Sequence, residues 1–430
     1  MSASQYSLFS GEYDMPLSYR QLIDGVIDEV MPDVIRIRRQ IHAWPELGFE
    51  EHKTSSLCAE TLRELGVDIV QSVAGTGVVG TLRGHDSSFT VALRADMDAL
   101  PISEETGLEF SSRVPGLMHA CGHDGHVAIL LGAAMVLTRL RQMIQGNVKF
   151  IFQPGEESLG GAKHMIDLGV LEDPDVDAIF ALHLWPSVPL GDIAVHKGPA
   201  MAALDRLRVT LNGCGGHAAT PHKSVDAIVA ASLLVLAMQT IVSREIDPLE
   251  SLIVSIGQFK AGSAYNAIAD IARLDGTVRT LSDSIRNQVP RLIERKIIGV
   301  TQSTGTEYSF EYTFGYPPVI NDPAVSDFVL RACRAILGDE RVYVANKPSM
   351  VGEDFAYYLE RTPGAIFLVG TGSKTTEEMD DDECQSYPLH HPRFGFDERA
   401  LTVGVRAMTY IALRALESYS NDSHIRYAQE

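Results

Sequence analysis

Four short, predominantly apolar runs constrain this chain most: Thr90 to Leu93, Val148 to Phe152, Ala178 to Leu182 and Ala365 to Val369. A strand with one solvated face alternates polar and apolar residues, whereas a strand covered on both faces does not, so these runs read as buried strands of a mostly parallel sheet. Helical patterns at His126 to Met143 and Ala162 to Leu168 fall between successive runs and give strand-helix alternation. Upstream, Tyr19 to Gly66 carries apolar residues at helical spacing (Leu22, Ile23, Val26, Ile27, Val30, then Ile35, Ile37, Ile41), broken at Trp44-Pro45-Glu46-Leu47-Gly48. Two or three helices are expected there, and the whole has α/β architecture.

The texture changes after Lys197-Gly198-Pro199. Leu204 to Leu211 alternates, Asp226 to Ser243 is a long amphipathic helix, and Leu252 to Phe259, Ala269 to Arg279 and Tyr308 to Phe314 read as further alternating strands. Gly315-Tyr316-Pro317-Pro318 closes this block, after which strand-helix alternation resumes. The expected organisation is a discontinuous α/β domain, residues 1–200 and 315–430, with an inserted α+β domain over residues 201–314. A length of 430 residues exceeds what one core usually serves.

Composition narrows the function classes. Apolar residues at 45% and charged residues at 21% belong to an ordinary globular chain. A formal net charge of -20, with no basic stripe to offset it, repels nucleic acid and anionic lipid, so neither is an expected partner. Five cysteines (Cys58, Cys121, Cys214, Cys333, Cys384) are odd in number and never paired as C-x-x-C, which points to a reducing cytoplasm rather than a disulfide framework. Met1 to Tyr19 shows no basic end followed by an apolar stretch, so no signal peptide is expected, and no apolar run is expected to approach membrane-spanning length. In such a chain Asn421-Asp422-Ser423 reads as a chance match to a glycosylation acceptor.

In an open α/β sheet, ligands collect beyond the carboxyl ends of the strands. Three apolar runs end there in chemistry-bearing residues: Leu93 leads into Arg94-Ala95-Asp96-Met97-Asp98, Phe152 into Gln153-Pro154-Gly155-Glu156-Glu157, and Leu182 into His183-Leu184-Trp185-Pro186. The densest cluster, Met118 to His126, holds three histidines, a thiol and a carboxyl. An isolated histidine is more often a satisfied structural residue, and a lone Cys121 a small core residue, but thiolate, imidazole and carboxylate together are the donors of zinc or another first-row divalent ion. Adjacent Glu156 and Glu157 point in different directions, so one can bind metal while the other moves protons. His390 and His391 add a further imidazole pair in a loop.

Competing motifs fare worse. Gly75-Thr76-Gly77-Val78-Val79-Gly80 matches G-x-G-x-x-G, but strand rather than helix follows it, so it reads as a tight turn. H-E-x-x-H, G-x-S-x-G and a deaminase-type P-C-x-x-C are absent from the sequence.

Assembled, these pieces resemble the M20 metallopeptidase clan, in particular its amidohydrolase branch of N-acyl-amino acid amidohydrolases, hippurate hydrolases and auxin-conjugate hydrolases. The marks are Arg94-Ala-Asp-Met-Asp-Ala-Leu-Pro101, Met118-His-Ala-Cys-Gly-His-Asp124, Gln153-Pro-Gly-Glu-Glu157, Gly215-Gly-His-Ala-Ala-Thr-Pro-His222 and Leu389-His-His-Pro392, spread over nearly the whole chain. The resemblance implies two divalent ions per subunit, Zn2+ or Mn2+ with Co2+ or Ni2+ also compatible, held by Cys121, His123, Glu157, His183 and His390, with Glu156 as general base. His390 is preferred to His391 because the clan's ligand directly follows the Leu of L-H-x-P. Where other branches take ligands from an H-x-D pair, this chain has Asp96-Met97-Asp98. The inserted domain is implied to be a lid and dimerisation domain, with His217, Asn266 and Arg279 as substrate-binding residues and a homodimer or higher homo-oligomer as the assembly. The implied activity is hydrolysis of the amide bond of small N-acyl-amino acids. A dipeptidase or aminopeptidase of the same clan, and a non-catalytic binding relative, stay open as rival readings, separable by metal content and by turnover of acyl-amino acids.

Overall fold

The computed structural model describes residues 17–85, 89–157, 160–372 and 387–427, with side chains up to 418. Cys384, the opening Met1 to Pro16 and the Asn421 side chain lie outside the described residues. The chain divides into two compact units, Pro199–Val319 with Pro348–Ala356 forming the second and the remainder the first.

In the first unit, five strands come early: β1 (Asp68–Val73), β2 (Gly77–Arg83), β3 (Thr90–Asp96), β4 (Asn147–Gln153) and β5 (Ala178–Pro189). With later strands they form an eight-stranded sheet ordered β1, β2, β4, β3, β5, Gly364–Gly372, Ile193–Val195, Val342–Val344. The four central strands run parallel. β2 joins β4 antiparallel, as does β1 to β2, and Ile193–Val195 joins the far side antiparallel, so the mostly parallel sheet is mixed at its margins. β3, β4 and Gly364–Gly372 are buried along their whole length, as unbroken apolar runs require when both faces are covered.

Helices supply that cover. α1 (Leu17–Ala43) buries Ile23, Ile27, Val30, Val34, Ile37 and Ile41, a stripe at three- and four-residue spacing. α2 (His52–Glu64) follows the Trp44 to Gly48 break. α3 (His123–Arg139) is buried on nearly all sides, among α1, β3 and the C-terminal helix Arg399–Tyr427. Fully burying an Ile, Leu or Phe side chain contributes roughly 1.5–3 kcal/mol, so this core holds the strand ends in place by many such increments.

The second unit is a four-stranded antiparallel sheet in the order Leu252–Ala261, Ile271–Thr280, Asp205–Asn212, Glu307–Phe314, packed on the helices Ala227–Arg244 and Asp283–Thr304. Here the structure corrects the expectation about apolar runs: Ala227–Arg244 is 18 residues long and apolar enough to cross a membrane by length and composition. Its Ala230, Ala231, Leu234, Met238 and Ile241 are instead buried in the core of this unit. The periodic pattern concealed the run because apolar residues also occupy its outer face.

Candidate metal centre

Three structural devices bring donors to one place in the first unit. The first is the N-terminus of α3, where Gly122 adopts φ 91°, a left-handed conformation that a residue with a side chain rarely takes, and turns the chain from Cys121 into His123. The second is the end of β4, where Gln153 leads through Pro154 and Gly155 to Glu156 and Glu157. The third is β5. The sequence suggests that His183 lies just past its strand, but β5 continues to Pro189 because Gly364–Gly372 keeps pairing with it, with Leu368 opposite His183. His183 is therefore held inside a paired strand.

These devices converge. Cys121, His123 and His183 present ligand atoms all within 4.8 Å of one another, and so do Cys121, Glu157 and His390, and His123, Glu156 and Glu157. Cys121 Sγ lies 3.5 Å from His183 Nε2. Glu157 Oε1 lies 3.2 Å from His390 Nε2 and 3.9 Å from His123 Nε2. Although close to other donors, His123 Nε2 and Glu157 Oε1 are buried and make no hydrogen bond. Buried polar atoms left without hydrogen bonds cost free energy, and a soft and hard mixed donor set closing on them fits divalent cations.

The electrostatics agree. Burial, followed by the carboxylates of Glu157, Glu156 and Asp96, pushes the Cys121 thiol well above its usual range. Burial opposes protonation of His123, but Asp96, Asp98 and Glu157 outweigh it and push the imidazole up to about 10. To bind a cation the thiol must act as thiolate and the imidazole as its neutral form, so both groups give up a proton on binding.

A second set of residues fixes the first. His123 Nδ1 donates to Asp98, 2.9 Å from its carbonyl and 3.2 Å from Oδ1, which aims Nε2 at the other donors. Asp98 also accepts from the backbone N–H of Glu156 on Oδ1 (3.1 Å) and of Glu157 on Oδ2 (3.0 Å). Asp96 takes His126 Nδ1 at 2.6 Å and Arg94 at 2.7 Å, while His126 Nε2 accepts from the N–H of Leu184, beside His183. Burial pushes Asp96 up, yet His123, His126 and Arg94 hold it well below the carboxylate range. Behind His123, Asp124 accepts from Arg38 at 2.8 Å and pairs with His42 at 2.8 Å, all three being buried.

The two C-terminal histidines separate in space. His390 takes φ 66°, unusual for a residue with a side chain, and reaches Glu157. His391 turns away: its Nδ1 accepts from the N–H of Arg393 and its ring stacks on Tyr387 with centroids 4.4 Å apart.

His217, Asn266 and Arg279 all belong to the second unit. His217 and Asn266 are exposed and meet in a two-stranded ribbon, where His217 pairs with Ala267 and Ala218 N–H donates to the Asn266 carbonyl at 3.1 Å. Arg279 sits half-buried on the sheet instead. Sequence reading gave no supporting role to Glu51, Arg38 or His42 and took His126 only as one of the three histidines of the Met118 to His126 cluster; nothing in the local pattern sets Glu51 apart from Glu46 and Glu50.

The model for Peptidase family M20/M25/M40 matches residues 92–414, which include every donor named above. The chain belongs to this family. It is 44% identical over 320 residues to an N-acyl-L-amino acid amidohydrolase of Geobacillus stearothermophilus, covering 73% of this chain and 86% of that one. It is 40% identical over 386 residues to an N-acetylcysteine deacetylase of Bacillus subtilis, covering 90% and 97%. Among solved structures it resembles a dinuclear metal-binding peptidase of the M20 family from Bacillus subtilis, with a TM-score of 0.78, 35% identity, and 91% and 99% coverage. This M20 chain is accordingly a metal-dependent hydrolase of the amidohydrolase branch, and the donor set fits the ions that such an enzyme needs.

Proposed function

We propose that this protein hydrolyses the amide bond of small N-acyl-amino acids at a centre of two divalent ions, zinc or manganese, held by Cys121, His123, Glu157, His183 and His390. The observation that carries the reading is the pair of overlapping donor groups, Cys121 with His123 and His183, and Cys121 with Glu157 and His390, joined by the one thiol they share. Bound there, the ions would lower the pKa of a water and polarise the amide carbonyl.

The chain's own residues do the rest. Glu156, buried beside His123 and Glu157, takes the proton of the attacking water and returns it to the leaving amine. By accepting from Nδ1, Asp98 orients the His123 ring so that Nε2 is the nitrogen presented to an ion. In the second unit, Asn266 and Arg279 would hold the substrate and its carboxylate, Arg279 with its planar fork, while His217 would polarise the scissile carbonyl. The exposed apolar faces of Ala227–Arg244 (Ile228, Val229, Leu233, Leu236) and of the edge strand Leu252–Ala261 (Ile253, Phe259) support a homodimer through this unit. Buried free thiols at Cys58, Cys121 and Cys333 support a reducing, cytoplasmic setting.

A hydrolysis screen tests the proposal. Zinc- and manganese-loaded protein is offered acetyl-, benzoyl- and indoleacetyl-amino acids beside free dipeptides, and the released amine is followed. Blocked substrates should be preferred, and Glu156→Gln should abolish turnover while retaining metal. Cleavage of dipeptides alone would move the enzyme to the peptidases.

A further inference from the structure

We infer that Glu51 is a positioning residue for this reaction: together with Asp98 it grips three successive backbone amides of the Gly155-Glu156-Glu157 loop and so fixes where the Glu156 carboxylate points. The inference rests on the reading of Glu156 as general base.

Glu51 is fully buried, unlike its neighbour Glu50, which is exposed. Its Oε1 accepts from the N–H of Gly155 at 2.9 Å and its Oε2 from the hydroxyl of Thr76 at 2.5 Å. Asp98 takes the next two amides, Glu156 on Oδ1 and Glu157 on Oδ2. Two carboxylates thus hold three amides in a row.

The two carboxylates are themselves tied together. The carbonyl of Glu46 accepts from the N–H of Ala99, the residue after Asp98, and Leu47 bridges Ala99. The Glu46 carboxylate accepts from the N–H groups of Lys53 and Thr54 at 3.0 Å each, which caps α2 just after Glu51. Phe49 closes the same turn at φ 64°, and its ring lies where any Cβ on Gly155 would fall, 2.8 Å from Cε2. Gly155, itself at φ 62°, can therefore be nothing larger.

A buried carboxylate is a poor means of mere packing, because an apolar residue of similar volume would serve as well or better. What Glu51 adds is direction. A general base must sit within hydrogen-bond reach of its proton, and a misplacement of about 1 Å can cost about a hundredfold in rate.

The test uses full-length, zinc-loaded protein and the best substrate of the screen. Glu51→Ala should lower kcat by up to about a hundredfold while KM and zinc content stay near the parent's. Glu51→Gln should recover most of kcat, since its amide oxygen still accepts from Gly155 and its NH2 donates to Thr76. If Glu51→Ala does not fold, Glu51→Asp replaces it, being one methylene too short to reach both Gly155 and Thr76; its kcat should fall with zinc content intact. A metal-loaded Glu51→Ala or Glu51→Asp enzyme with parental kcat overturns the inference, as does a loss of activity that only tracks lost zinc. An active Glu156→Gln enzyme would sink the general-base reading itself, whereas inactive Glu156→Gln beside fully active Glu51→Ala would sink the brace alone.

Discussion

Asp205 in the second unit and Glu157 in the first are both carboxylates withdrawn from water, yet their surroundings are opposite. Asp205 accepts from Arg286 Nε at 3.1 and 3.0 Å and Nη2 at 2.6 Å, from the Tyr312 hydroxyl at 2.9 Å and from the N–H of Gly315 at 3.0 Å. Both of its oxygens are saturated, and the cluster staples strand, helix and loop. Glu157 Oε1 has an imidazole 3.2 Å away and still makes no hydrogen bond, as does His123 Nε2 beside it. The same elements of burial and charge build a structural joint in one place and a pair of buried polar atoms without hydrogen bonds in the other. What separates them is whether the lone pairs are spent within the fold.

The comparison breaks if removing a member of each cluster has the same kind of effect. Cys121→Ala, at the shared donor, should lower turnover by at least about a thousandfold, several kcal/mol of lost metal assistance, together with bound metal. Metal analysis and turnover on one sample check this, and retention of both ions would remove Cys121 from the proposed ligand set. Asp205→Ala should act on stability instead, since breaking a buried pair from one side costs about 3–5 kcal/mol. Denaturant unfolding measures it. A loss below about 1 kcal/mol would mean that the saturated cluster is dispensable.

Glu398 offers the smallest and most graded test. Burial pushes it up, but hydrogen bonds and charge from Arg39 and Arg38 hold it below the ordinary glutamate range. The native state therefore binds fewer protons than the unfolded chain near pH 4, so the contribution is present above the unfolded value of about 4.3 and is lost as pH falls through the folded one. Glu398→Gln should flatten the acid limb of a plot of Tm against pH. An unchanged slope would place the acid sensitivity elsewhere, among the more deeply buried acids.

Much of this molecule was written into local pattern. The unbroken runs at Thr90, Val148 and Ala365 announced strands covered on both faces, and the spacing of Ile23, Ile27, Val30 and Ile37 announced the inner stripe of α1, because burial and periodicity are properties of a few consecutive residues. The donor types were equally legible, since Cys121, His123, Glu156 and Glu157 sit in dense runs at strand or helix ends. Tertiary structure decided what those runs do together. That His390 faces Glu157 while His391 stacks on Tyr387, that His183 lies inside a paired strand, and that Glu51 reaches Gly155 across 104 positions of chain all depend on which segments meet. Contacts of that kind follow from the closing of the sheet and the packing of its helices, a balance of many small burial energies that no single stretch of residues contains.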